Sequence, residues 1–241
     1  MILDDFKKII DESSNIVFFG GAGVSTESNI PDFRSSTGLY KTQNNYSYPP
    51  EVMLSHSFFI AHPEDFYEFY REKMIFKDAQ PNDAHYALAE LERKNKVKAV
   101  ITQNIDGLHQ KAGSKNVLEL HGSIHRNYCM NCGKKFNLDY ILNSKSVIPH
   151  CDDCGGIVKP DVVLYEEGLD MDVLNAAVRY VEKADVLIIG GTSLVVYPAA
   201  NLIYYYKGNK LVLINKSVTP FDSKANLSIH DSIGKVMKSI L

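Results

Sequence analysis

Tryptophan is absent, and cysteine accounts for only 4 of 241 residues. Without Trp, 14 Tyr and 11 Phe must supply the aromatic bulk of a core. A strong charge of either sign is missing too: 26 Lys and Arg against 29 Asp and Glu leave a net charge of −3. That balance argues against a protein whose main task is gripping the DNA backbone. Internal repeats and low-complexity tracts are missing, and 45% hydrophobic with 23% charged residues excludes global disorder and collagen-like structure. No basic region followed by an apolar run opens the chain. Instead Asp4, Asp5, Lys7, Lys8, Asp11 and Glu12 alternate with Phe6, Ile9 and Ile10 in a helical pattern. The one long uncharged stretch, Val186 to Tyr206, is interrupted by Gly190, Gly191, Thr192, Ser193, Pro198 and Asn201. A buried strand, a glycine turn and a helix explain it better than a lipid span. The expectation is a soluble, cytoplasmic chain with neither a membrane nor a nucleic acid as partner.

Several short apolar runs predict buried parallel strands: Ile16 to Phe19, Val97 to Ile101, Val117 to Leu120, Val186 to Ile189 and Leu211 to Ile214. They are β-branched and do not alternate, as in strands covered on both faces. Helical patterns lie between them, over Asn82 to Lys94, Met171 to Lys183 and Ile233 to Leu241. This alternation predicts an α/β fold with a doubly wound, parallel, Rossmann-like sheet. Two stretches break it. Leu39 to Ala79 is rich in Tyr, Phe and His and turns helical after Pro63, and residues from Ile124 to Val158 hold all four cysteines. The expected organisation is a main domain of 1–38, 80–123 and 159–241. A smaller domain is made of a helical insert (39–79) and a zinc ribbon (124–158).

The cysteines carry the strongest single signal. Cys129-x-x-Cys132 and Cys151-x-x-Cys154 are separated by eighteen residues, within the zinc-ribbon window. Two knuckles of two thiolates each complete a tetrahedron around one ion and leave no position open for water, so the metal would be structural. Two disulfides or a redox pair are the competing readings; the first is disfavoured without a secretion signal, and the second needs no second copy. Gly133 and Gly155, each after the second cysteine of its pair, mark tight turns.

Phe18-Phe19-Gly20-Gly21-Ala22-Gly23-Val24-Ser25 reads as a strand running into a glycine turn, with a helix N-terminus expected to follow and favour a phosphate. Taken alone it fits a nucleotide site or a plain turn equally, because Thr26 stands where the dinucleotide fingerprint has its third glycine. A second such turn, Gly190-Gly191-Thr192-Ser193, and a strand ending in Ile214-Asn215 add to it. Val195 replaces the last glycine of a hydrolase elbow, which excludes that reading. Polar residues follow two more strands, as Gln103-Asn104-Ile105-Asp106-Gly107-Leu108-His109 and His121-Gly122. His121 and, less strongly, His109 are candidate bases, and Asp106 is a candidate ligand contact or helix cap.

Together these motifs, in this order and over nearly the whole chain, resemble the sirtuin family of NAD-dependent protein-lysine deacylases. Gly21 to Ser25 and Ile30-Pro31-Asp32-Phe33-Arg34 are similar to its cofactor loop. Thr102 to Asp106 with Leu108-His109 match its nicotinamide-side motif, and His121-Gly122 its catalytic histidine. The cysteine quartet matches its zinc module. Gly191-Thr192-Ser193-Leu194 with Pro198-Ala199-Ala200 match its ribose and peptide side.

The resemblance implies that the acyl-lysine oxygen attacks C1′ of the nicotinamide ribose, which explains why no Ser/His/Asp or Cys nucleophile is evident. It implies nicotinamide, free lysine and O-acyl-ADP-ribose as products, with His121, Asn104 and Asp106 catalytic and His121 the general base. Gly21, Ala22, Gly23, Ser25, Thr26, Ile30, Phe33, Arg34, Gln103, Ile105, Gly191, Thr192, Ser193, Asn215, Lys216, Ser232 and Ile233 would join Asn104 and Asp106 around NAD. Phe33 would keep water from C1′. An acylated-lysine peptide would add a strand between Val162, Val163, Tyr165 and Glu166 on one side and Leu194, Val195 and Val196 on the other. The chain itself is expected to be a monomer.

Three departures stand out. Asn29 replaces a glycine and can still adopt a left-handed conformation. Tyr165-Glu166-Glu167 replaces Phe-Gly-Glu, which adds a side chain at the peptide cleft. Tyr70 and Lys73 stand where members taking acidic acyl groups have Tyr and Arg; Lys lacks the fork of Arg, so acetyl removal is the main expectation. ADP-ribosyl transfer to protein and simple NAD or ADP-ribose binding are the alternatives.

Overall fold

The computed structural model describes residues 2–35, 38–41 and 46–241. Positions 1, 36, 37 and 42–45, which fall within the expected main domain and helical insert, lie outside the described residues. Along the chain come α1 (Ile2–Asp11) and β1 (Ile16–Gly20), then α2 (Pro50–Met53), α3 (His56–Ala61) and α4 (Pro63–Lys73). These are followed by α5 (Asp83–Arg93), β2 (Val97–Thr102), α6 (Leu108–Ala112) and β3 (Val117–Glu119). Next come β4 (Gly122–Cys129), β5 (Lys135–Phe136), α7 (Leu138–Leu142) and β6 (Val158–Val162). The last group is α8 (Met171–Lys183), β7 (Val186–Gly190), β8 (Leu211–Ile214), β9 (Leu227–Ile229) and α9 (Ile233–Lys238). Among the described residues no helix is long and apolar enough to cross a membrane.

Six strands form one sheet in the order β3-β2-β1-β7-β8-β9, and every pairing in it is parallel. The order reverses between β1 and β7, the place where such sheets bind ligands. Every residue of β1, β7 and β8 is buried, which explains the uninterrupted apolar runs. One face packs Phe18, Val100, Ile188 and Val212 against Phe6, Leu88 and Val236 of α1, α5 and α9. The other packs Val17, Phe19, Leu187 and Leu213 against Ala177 and Val181 of α8 and Leu202 of the turn of 3₁₀ helix at Ala199–Tyr205. Each large apolar side chain removed from water contributes roughly 2 kcal/mol.

Caps fix where helices start. The Asn82 side chain accepts from the Ala84 amide while His85 Nδ1 accepts from the Asn82 amide, so α5 opens with a reciprocal box. Asp170 accepts from the amides of Asp172 and Val173 at the start of α8. The helix expected after the first glycine turn is not there. Two single 3₁₀ turns, Ala22–Val24 and Thr26–Ser28, take its place, and Asn29 ends them at φ 62°, in the left-handed region.

The second sheet is antiparallel, β5-β4-β6. It is longer than the insert expected over 124–158, because β4 starts at Gly122, opposite Val162 at the end of β6. Its core is shared with α2, α3 and α4: Phe58, Phe59, Phe66, Tyr67, Phe69 and Tyr70 pack with Ile141, Val158 and Leu164. The helical and cysteine-bearing stretches thus build one smaller unit from two places in the sequence.

Candidate active site

Gly20, Thr102, Gly190 and Ile214 end four neighbouring strands at one level, as the register pairs Gly20 with both Thr102 and Gly190, and Gly190 with Ile214. The loops that leave these ends border a cleft of about 1090 Å³ between the two sheets. Its lining includes Gly21, Ala22, Gly23, Ser25, Thr26, Ile30, Phe33, Arg34, Gln103, Asn104, Ile105, Asp106, His121, Gly191, Thr192, Ser193, Asn215, Lys216 and Ile233. Val162, Val163, Tyr165, Glu166 and Lys73 line it from the side of the smaller sheet and its helices, and Val195 and Val196 from the loop after β7.

The two glycine turns approach backbone to backbone. The Gly23 amide donates to the Gly191 carbonyl at 2.8 Å, and a Cβ on Gly23 would stand 2.8 Å from Gly191 Cα. Gly191 itself has φ +59°, so glycine is required at both positions for contact and, at the second, for conformation. Gln103 Nε2 donates to Thr192 Oγ1 at 3.0 Å and locks the second turn to the loop after β2.

Ser25 joins the remaining parts. Its hydroxyl donates to Asp106 Oδ2 at 2.7 Å and accepts from Asn104 Nδ2 at 3.0 Å. Asp106 Oδ1 accepts from the Leu108 amide at 2.9 Å, so this carboxylate also satisfies the first amide of α6, whose N-cap is Gly107. Burial raises the Asp106 pKa, and the Leu108 and Ser25 donors oppose that rise. His121 Nδ1 donates to the Gln103 carbonyl at 3.0 Å. That bond leaves Nε2 as the acceptor nitrogen of a neutral ring, and burial lowers the His121 pKa, which keeps the ring neutral.

Four expected residues sit differently. The Leu194 side chain is buried in the core under the second sheet face, its backbone at φ 56°. Tyr70 is fully buried, its ring stacked on Phe66 with centroids 5.6 Å apart, and does not border the cleft; only Lys73 of that pair does. Neither does Ser232, whose neighbours Asp231 and Ile233 line the wall instead. Asn215 faces the cleft, but its amide is used on the Thr192 backbone, accepting from the nitrogen at 3.0 Å and donating to the oxygen at 2.9 Å. His109, the weaker candidate base, is buried against the His85 ring at 4.7 Å. Tyr40, Leu54, Met74, Phe76 and Asp231 line the cleft without having been singled out in the sequence. Leu54, Met74 and Asp231 lie within two residues of the end of a helix or strand.

In the smaller unit the four cysteine sulfurs lie within 4.8 Å of one another. Cys129 and Cys154 are 3.4 Å apart and Cys132 and Cys151 3.7 Å, so neither pair is bonded. Sulfurs about 2.3 Å from a central zinc would be about 3.8 Å apart, so the cluster fits a tetrahedral ion. Gly133 and Gly155 both have φ +73°, and their amides donate to the Cys129 and Cys151 carbonyls at 2.9 Å. Backbone amides at Cys132 and Asn131 pull the Cys129 pKa down to about 6, while the neighbouring sulfurs hold Cys132 and Cys154 above the ordinary thiol value. Lys134 ties the two knuckles together with 2.7 Å contacts to both Asp152 and Asp153.

Residues 21–198 match the model of the Sir2 family. A Clostridium acetobutylicum protein named as an NAD-dependent protein deacetylase is 70% identical over 239 residues, covering 99% of this chain and 98% of that protein. A solved Sir2 complex with deacetylated p53 peptide and 3′-O-acetyl ADP ribose is 42% identical, with a TM-score of 0.91 over 100% of this chain and 97% of the other. A Sir2 complex with p53 peptide and NAD+ is also 42% identical, with a TM-score of 0.88 over the same shares. The chain belongs to the Sir2 family of NAD-dependent protein deacetylases.

Proposed function

We propose that this enzyme moves the acetyl group of acetyl-lysine in proteins onto the ADP-ribose part of NAD, releasing nicotinamide and free lysine as O-acetyl-ADP-ribose forms. The observation that carries the reading is the place of His121. A neutral imidazole, held through Nδ1, stands at the strand ends with Nε2 as its acceptor nitrogen, and among the described residues no serine, threonine or cysteine is hydrogen-bonded to it. Such a group suits a reaction in which the substrate oxygen attacks and the protein needs only a base.

The glycine turns at Gly21–Gly23 and Gly191–Ser193 leave room for the pyrophosphate and ribose of NAD, and Arg34 offers a guanidinium to the phosphates. Ile105 and Asp106 would hold the carboxamide of nicotinamide, and Asn104 the ribose beside it. Phe33 covers that end of the cleft and excludes water. His121 removes a proton from a ribose hydroxyl. The acylated peptide lies against Val162, Val163, Tyr165 and Glu166 on one side and Val195 and Val196 on the other. The side chain of Leu194 takes no part, although its backbone joins the same segment.

Acetyl is the preferred group. The Tyr70 ring is enclosed among Phe66 and Phe69 and does not border the cleft, and Lys73 Nζ already contacts Glu72 at 2.6 Å. Neither is arranged to receive an acyl carboxylate. Zinc held by Cys129, Cys132, Cys151 and Cys154 would brace the smaller unit. Turnover of acetyl and succinyl versions of one peptide at fixed NAD tests the reading: acetyl should be removed much faster, and the reverse order would overturn it.

A further inference from the structure

Arg34 and Phe33 sit on a loop that folds mostly on itself. The Ile30 amide donates to the Ser25 carbonyl, the Leu39 amide to Asp32 and the Tyr40 amide to Phe33, at 3.2, 2.7 and 2.9 Å. Asp32 Oδ1 accepts from the Arg34 and Ser35 amides at 3.0 and 2.8 Å. Two polar ties that cross from this loop to the opposite wall of the cleft end on one atom. Tyr40 Oη lies 2.7 Å from Tyr165 Oη, and Arg34 donates to the same Tyr165 oxygen at 3.5 Å. The Arg34 guanidinium also stands 5.3 Å over the Tyr40 ring, and the Tyr40 ring packs 5.5 Å from Phe33.

The post to which the loop is tied is rigid. The Tyr165 amide donates to the Leu54 carbonyl, and its carbonyl accepts from the His56 amide, both at 2.9 Å. Glu166 beside it accepts from the Ser57 amide at 2.8 Å and the Ser57 hydroxyl at 3.0 Å. Glu167 accepts from the Leu164 amide at 2.8 Å and from buried Lys159 at 3.2 Å. Nothing in this anchoring uses the Tyr165 hydroxyl, and a phenylalanine there would keep the ring and the backbone bonds.

We propose that Tyr165 is a positioning residue for the cofactor loop: its hydroxyl, through Tyr40 and Arg34, holds Phe33 over the reacting end of NAD. The proposal rests on the NAD-dependent reading above and adds a residue that acts through the loop. When the tie is cut, the loop covers the ribose less well and water competes with acetyl-lysine. That side reaction breaks the ribose–nicotinamide bond with one water and yields ADP-ribose, nicotinamide and a proton. Nicotinamide then exceeds freed lysine.

The test compares wild type, Tyr165→Phe, Tyr40→Phe and the double variant. NAD affinity is measured by calorimetry, and nicotinamide and free lysine are counted with an acetyl-lysine peptide. Each single variant should weaken NAD binding about five-fold, the size of one hydrogen bond, and raise the nicotinamide-to-lysine ratio above one. The double variant should lose no more than Tyr165→Phe alone, because that substitution already removes both ties. Unchanged NAD affinity with a ratio of one in Tyr165→Phe, or additive losses in the double variant, would overturn the proposal. A wild type that binds NAD without releasing lysine would strike the deacetylase reading, and the binding comparison would still decide the tie.

Discussion

The Ser25 hydroxyl donates to Asp106 Oδ2 across 2.7 Å although 81 positions separate the two residues. Asn104 donates to the same hydroxyl at 3.0 Å. One oxygen therefore joins the glycine turn after β1 to the polar loop after β2. Ser25→Ala removes a donor that opposes the effect of burial on Asp106, so that carboxyl should titrate higher still. The expected loss in NAD affinity is about ten-fold, with folding stability reduced by only about 1 kcal/mol. Calorimetric titration with NAD and a urea melt measure both; unimpaired NAD binding would remove Ser25 from the site.

His121→Ala should lower kcat by about 10²- to 10⁴-fold, the usual contribution of a general base, with NAD binding largely kept. The pH profile follows from the direction of the shift. The neutral ring is the active form, and burial holds its folded pKa below 6.5, so protonation begins only at lower pH. The acid limb of kcat/KM should fall below pH 6.5. A midpoint above that value would contradict the buried neutral base.

Glu166 has φ 76°, where a side chain costs about 1–2 kcal/mol. Two bonds to Ser57, at the start of α3, offset that cost. Glu166→Ala keeps the strain and loses the bonds, so it should destabilise by about 1–3 kcal/mol. Glu166→Gly loses the same bonds but relieves the strain, and should be more stable than the alanine variant by about 1 kcal/mol. Chemical denaturation of both reads the difference, and equal stabilities would refute the compensation.

Metal analysis should find one zinc per chain, absent from Cys129→Ala. Loss of the ion should loosen the β5-β4-β6 sheet first, because both knuckles hang from its strands. Hydrogen exchange would show this as faster exchange around Cys129 and Val158 than in β1 or β7. A wild type without zinc would overturn the ribbon.

Much of this arrangement was legible from residue pattern. The strands β1, β2, β7 and β8 announce themselves as β-branched runs because the sheet covers both their faces. The start of α5 at Asn82 and of α8 at Asp170 is written in capping side chains. The cysteine spacing encodes its cluster locally. What local pattern does not encode is how distant pieces meet. The chain after Gly23 reads as a helix start, yet contact with Gly191 and the left-handed Asn29 limit it to single turns. Leu194 looks like its valine neighbours in sequence, but its positive φ turns it into the core while Val195 and Val196 face the cleft. Tyr70 and Lys73 are three apart on one helix, and the packing of Phe66 and Phe69 decides that the tyrosine is enclosed. The Tyr40–Tyr165 pair spans 125 positions and has no local signature.

The most direct measurement follows an acetyl-lysine peptide with and without NAD while lysine, nicotinamide and the acetylated sugar product are quantified by mass. No lysine should be released without NAD and, with it, one nicotinamide and one O-acetyl-ADP-ribose should form for each lysine freed. Lysine release without NAD, or free acetate in place of the sugar ester at the earliest times, would contradict it.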